Sequence, residues 1–256
     1  MNSTSIRESW QAAAQGGVGA AIQQAATRTG VDFGYLLGQA RIESGFDPNA
    51  RARTSSATGL FQFIEQTWLA TVQQHGAKHG MGWAADAIKQ GSNGRYSVAD
   101  PAMRKAILDL RKDPQAASTM AAEFAADNQN YLENRLGRPM ESVDLYLAHF
   151  LGAGGAAQFL NGHDANPNAP AAAVLPAAAR ANRSIFYASN GAPRSFAEIR
   201  DRFAAKLGGT SAPLPSPAAR EFPQVQMALQ ENKPAVAGPT PQYARLAYLM
   251  LAQLGG

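Results

Sequence analysis

Ala40-Arg41-Ile42-Glu43-Ser44-Gly45-Phe46-Asp47-Pro48-Asn49-Ala50, followed by Thr58-Gly59-Leu60-Phe61-Gln62-Phe63, is the stretch from which the rest of the chain can be read. Upstream of it, Asp32 is placed to cap a helix whose apolar positions (Val31, Phe33, Leu36, Leu37) recur at helical spacing. That helix is expected to end near Ser44, because Gly45 takes the left-handed conformation that stops helices and Pro48 prevents resumption. Glu43 then falls in the last turn of a mostly apolar segment. The negative end of the helix and the apolar neighbours both disfavour an ionised carboxylate there. A carboxyl group kept neutral is what a general acid for glycosidic cleavage requires. A solvated Glu at a frayed helix end is the plainer reading, and position alone does not overturn it.

The surrounding motifs do. Glu43-Ser44 and Thr58-Gly59-Leu60-Phe61-Gln62 resemble the Glu-Ser and Gly-Leu-Met-Gln motifs of lytic transglycosylases, specifically the soluble-transglycosylase (SLT) domain related to goose-type lysozyme. The resemblance is firm over about residues 20–70 and weaker to about 165. It implies an all-α, lysozyme-like irregular helical bundle with a glycan-binding groove beside Glu43. It implies Glu43 as the single catalytic acid/base, with Ser44 matching the family's Ser and Gln62 a glycan-contacting Gln. Leu145-Tyr146-Leu147-Ala148-His149-Phe150-Leu151-Gly152 is similar to the family's third motif, Ala-Tyr-Asn-Ala-Gly, with His149 in place of its Tyr and Phe150 in place of its Asn. The candidate substrate-binding residues are therefore Ser44, Phe61, Gln62, Tyr146 and His149. The implied reaction is cleavage of the β-1,4 bond between N-acetylmuramic acid and N-acetylglucosamine without water, giving 1,6-anhydro ends, with no cofactor. A muramidase on the same fold would need a second carboxylate, for which Glu65, Asp47 and Asp127 are the candidates. A wall-binding assembly protein of a flagellar, secretion or phage system is the alternative of a different class.

Composition bounds these readings. The chain has 256 residues, 45% hydrophobic and 16% charged, which suits a folded protein and not a disordered one. The net charge of +4 favours an anionic partner, but Lys and Arg are dispersed, so peptidoglycan strands with their free carboxylates fit better than nucleic acid. Cysteine is absent, which excludes disulfides and thiolate metal sites. No apolar run is long enough for a membrane span. Met1 to Trp10 lacks the basic start and apolar stretch of a secretory signal, although the implied location is periplasmic or cell-wall-associated.

Along the chain, residues 1–17 read as a flexible N-terminus, 18–165 as the catalytic domain and 166–208 as a helical extension packed on it. Residues 209–240 form a Pro/Ala-rich linker, and 241–256 an amphipathic helix with a possible protein partner. Asp100-Pro101 and Asp113-Pro114 open helices over about 101–111 and 114–135. In the second of these, Tyr131 with Asn128 is a further candidate for the groove. Ser195 with Glu198 forms a capping box. Gly152 to Ala157 reads as a turn and not a phosphate loop, since no strand precedes it. His75 and His79 stand i, i+4, a spacing that fits a shared metal, but no third ligand is evident and metal is not expected. No strand-period alternation stands out anywhere.

Overall fold

The computed structural model describes residues 16–53 and 55–208. The segments expected to hold the N-terminal tail up to Gln15, the linker and the terminal helix lie outside the described residues. The chain divides into two compact units after Asp127.

In the first unit, α1 (Gly17–Thr29) packs against α2 (Phe33–Ser44). Ile22, Ala25 and Ala26 of α1 and Leu36, Leu37 and Ala40 of α2 are buried. Gly30, at φ 77°, ends α1, and the Asp32 carboxylate caps α2 by accepting the Tyr35 N–H at 2.7 Å. A loop over 45–64 leads to α3 (Glu65–His75), which tightens into a 3-10 turn, Gly76–His79, and then α4 (Gly82–Ala87). Trp68 anchors α3: it is fully buried, donates its indole N–H to the Ile107 carbonyl at 2.8 Å, and meets Phe63 edge-on at 5.2 Å.

A short antiparallel hairpin follows, β1 (Ile88–Gln90) with β2 (Tyr96–Val98), in the register Ile88–Val98, Lys89–Ser97, Gln90–Tyr96. No pattern in the sequence marks it. Three-residue strands are too short for an alternation to register, and the hairpin is held from outside: Gln66 of α3 donates to the Tyr96 carbonyl at 3.0 Å and accepts the Tyr96 N–H at 2.9 Å. Helix α5 (Pro101–Asp109) is capped by Asp100, which accepts the Met103 N–H at 2.6 Å, and ends in a 3-10 turn, Leu110–Lys112. Asp113 caps α6 (Pro114–Leu136), within which the division between the units falls.

In the second unit, α7 (Ser142–Ala165) is broken only at Gly152, whose φ of 74° no other residue type takes readily. The expected turn is thus a single residue, and the helix continues past Leu160. Helices α8 (Ala171–Val174), α9 (Pro176–Ala181) and α10 (Arg183–Phe186) are short, and α11 (Phe196–Leu207) packs along α7. Phe203 sits against Phe150 at 5.1 Å and Phe196 against Phe159 at 5.0 Å. The fully buried Asp144 is held by Arg138 at 3.0 Å and Arg200 at 3.1 Å, so its charge is compensated. The capping box stands as expected, with Ser195 N–H donating to Glu198 at 2.7 Å. Ile185 and Phe186 are buried. Mostly helical throughout its described residues, the chain has the all-α, lysozyme-like fold.

Candidate active site

Glu43 is buried, 7% exposed, in the last turn of α2. Gly45 closes that helix at φ 62°, donating its N–H to the Arg41 carbonyl at 3.0 Å. Ser44 explains structurally why a serine follows the acid. Its Oγ lies 2.8 Å from the Leu60 carbonyl and 3.1 Å from that of Ala40, so its hydroxyl ties the end of α2 to the second motif sixteen residues on.

The described residues of the loop carrying that second motif are braced from both ends. Asn49 N–H meets the Asp47 carboxylate at 2.8 Å, and Gly59 N–H meets the Ala50 carbonyl at 2.8 Å. The Gln62 side-chain amide donates to the carbonyls of Gly59 at 2.9 Å and Ala50 at 3.1 Å, pulling the two ends of the loop together. Gln62 is 4% exposed and its NH₂ is engaged with backbone, so only its carbonyl oxygen is left to meet a sugar. Phe61, proposed from its motif as a substrate contact, is 1% exposed and belongs to the core; it has no face to offer a glycan. Phe46, at φ 71°, and Gln62, at φ 46°, are the non-glycine residues with left-handed backbone among the described residues. Such conformations cost about 1–3 kcal/mol each and gather at functional sites. Here they bracket the loop beside Glu43.

Two residues of this neighbourhood escaped the sequence reading. Tyr35 lies eight positions before Glu43, on the same helical face about 12 Å along the axis. It is 3% exposed, and burial together with the nearby charge of Glu43 pushes its phenol far up, so it stays a protonated donor. The i, i+8 spacing was the available signal. Arg111 is the second: its guanidinium donates to the carbonyls of Ser56 at 2.7 Å, Phe63 at 3.0 Å and Leu108 at 2.9 Å, fixing the loop on α5. Those acceptors are distant in sequence, so nothing local marks it.

Of the three second-carboxylate candidates, Glu65 and Asp127 are paired with basic side chains, and Asp47 is exposed on the loop beside Glu43. Glu65 pairs with Arg104 at 2.6 Å, Asp127 with His75 at 2.7 Å, and Asp47 accepts the Asn49 N–H. His75 and His79 both face the Glu123 carboxylate, with His75 Nδ1 3.3 Å from it. His79 Nε2 meets Glu123 at 2.6 Å and His75 Nε2 meets Asp127, so both imidazoles tie α3 and its 3-10 extension to α6.

Tyr146 and His149 lie together on α7 in the second unit, with ring centres 5.9 Å apart. Tyr146 is buried edge-on against Phe203 at 5.5 Å, and His149 is half-buried. Asn128 is buried and Tyr131 exposed.

The family model of the transglycosylase SLT domain matches residues 20–93, from α1 into the β1–β2 hairpin, with Glu43, Ser44 and Gln62 inside it. Over that stretch the chain is similar to the transglycosylase SLT domain. SLT-domain proteins act on peptidoglycan, and the loop that the Glu-Ser and Gly-Leu-Phe-Gln motifs frame lies inside the matched stretch, tied to the end of α2 through Ser44. No helix of the described residues is long and apolar enough to cross a membrane.

Proposed function

We propose that the chain is a peptidoglycan lytic transglycosylase in which Glu43 is the single acid and then base. The observation that carries this reading is the buried Glu43 at the closed end of α2, locked through Ser44 to the motif that holds Gln62. In the forward step the neutral Glu43 carboxyl gives its proton to the glycosidic oxygen, and the bond between that oxygen and C1 of the N-acetylmuramic acid residue breaks. Positive charge at C1 is relieved by the sugar's own acetamido group. The C6 hydroxyl then bonds to C1, and its proton passes to the Glu43 carboxylate, which returns to the acid form. One C–O bond is lost and one gained, with no water consumed.

A single carboxylic acid suffices in this sequence of steps, whereas hydrolysis needs a second one to hold water. The pairing of Glu65 with Arg104 and of Asp127 with His75 favours the non-hydrolytic course. Ser44 and Gln62 act as positioning residues for Glu43, and the Gln62 carbonyl oxygen is the proposed glycan contact. His149 is the proposed counterpart of the family's tyrosine. The test is a rate comparison on purified wall: Glu43→Gln should lower release of soluble fragments by about 10²–10⁴-fold while thermal unfolding is unchanged. A variant that keeps near-normal release would remove Glu43 from the mechanism.

A further inference from the structure

Away from Glu43, the first unit contains a cleft of about 540 Å³ formed by the start of α3, the β1–β2 hairpin and α5. Its charged lining residues are Glu65, Arg95 and Arg104. Arg104 is committed to Glu65 at 2.6 Å. Arg95, in the hairpin turn, is exposed, and its guanidinium has no partner among the described residues. Two cations against one carboxylate leave a single positive charge.

The frame that presents it is fixed. Gln66 clasps both backbone groups of Tyr96, Gly91 N–H meets the Arg95 carbonyl at 2.8 Å, and the Asn93 side chain accepts the Arg95 N–H at 3.0 Å. A guanidinium fork matches a carboxylate in geometry, and one net charge suits a monoanion better than a polyanion, which Glu65 would repel.

The cleft adjoins the loop that carries the second motif, since Glu65 follows that loop directly. Leu60, which takes the Ser44 hydroxyl, and Glu65, which lines the cleft, are separated by five residues, at most about 18 Å of chain. A peptide of four residues spans about 14 Å when extended. We propose that this cleft holds a free carboxylate of the peptide that substitutes the wall glycan. Arg95 is its principal donor, and Arg104 is shared between that carboxylate and Glu65. The proposal rests on the reading of the chain as an enzyme of peptidoglycan, and it places the peptide on the hairpin while the glycan lies at Glu43.

The experiment is a nuclear magnetic resonance titration of the full chain with a free stem tetrapeptide, run beside the same peptide with its carboxylates amidated. The acidic peptide should shift the backbone amides of Asn93, Arg95 and Tyr96, and the amidated one should not. Arg95→Ala should weaken binding about fivefold, and Arg95→Lys should recover part of it. Glu65→Gln, which removes the competing carboxylate, should tighten binding about twofold, an effect opposite in sign to a general loss of structure. Equal shifts from both peptides, or shifts unchanged in Arg95→Glu, would overturn the proposal, as would no shift at all. Wall digestion is read separately. A protein that digests wall without these shifts loses only the cleft, and one that shows the shifts without digestion loses the proposed activity and keeps the cleft.

Discussion

Gly59→Ala tests most sharply how the loop beside Glu43 is built. Gly59 has φ 85°, and a Cβ placed on it would lie 1.8 Å from the Arg111 carbonyl oxygen and 2.7 Å from its carbon. The left-handed backbone alone costs an L-residue about 1–2 kcal/mol. The overlap is with backbone, so no side chain can swing aside; the loop or the turn at Leu110–Lys112 must move by more than about 1 Å, with an overpacking cost of about 1–3 kcal/mol. Together these give about 2–5 kcal/mol, a large share of the roughly 5–15 kcal/mol that holds a domain folded. At about 2–4 °C per kcal/mol, the melting temperature should fall by about 4–20 °C. Gly80→Ala is the matched control, with φ 79° and no atom within 4 Å of the added Cβ, so it bears the conformational cost without the clash. Differential scanning calorimetry of both variants should show the larger loss at Gly59. Wall digestion should fall with it, because the Gly59 carbonyl and N–H anchor Gln62 and Ala50. Equal melting temperatures for the two variants would refute the close packing of the loop on Arg111.

Other perturbations follow from the same contacts. Ser44→Ala removes the hydroxyl that reaches the Leu60 carbonyl; it should cost about 1 kcal/mol and lower kcat more than it raises KM, while Ser44→Thr restores both. Arg111→Lys cannot fork to three carbonyls, so urea unfolding should show a loss of about 2–4 kcal/mol. Burial alone would raise the Glu123 carboxyl, but the His79 hydrogen bond and the charges of His75, Lys78 and His79 outweigh it and hold the group below the usual carboxylate range. A lowered carboxylate contributes stability above its unfolded value, near pH 4.3, and loses it as pH falls through the folded value. Glu123→Gln should therefore be less stable than the parent by about 1–2 kcal/mol at pH 6, with the gap closing as pH drops below about 4 in paired urea titrations.

The legible parts of this chain are those whose physics is local. The Asp32 cap, the Gly45 stop and the capping box at Ser195 each depend on residues within four positions, and each forms as the sequence predicts. Glu43 is picked out as a candidate the same way, by its place at a helix end next to two short motifs. What the sequence concealed depends on distant partners. The hairpin exists because Gln66 grips Tyr96 thirty residues on, and Arg111 holds carbonyls 48 and 55 residues before it. Phe61 departs from its expected role for a related reason: membership of a motif says that a residue matters to the loop, not which way its ring faces, and this one fills the core. Gly152 was read as part of a longer turn because clustered glycines suggest one, yet only that residue leaves the helix, and Gly154 and Gly155 continue it.

The central claim is that Glu43 cleaves peptidoglycan without water, and the masses of the products test it most directly. Purified wall digested by the full chain and by Glu43→Gln should be analysed by mass spectrometry of the soluble fragments. The account predicts muropeptides with 1,6-anhydro ends, one water lighter than their reducing counterparts, from the parent protein alone. Reducing ends from the parent, or anhydro ends in equal yield from Glu43→Gln, would contradict it.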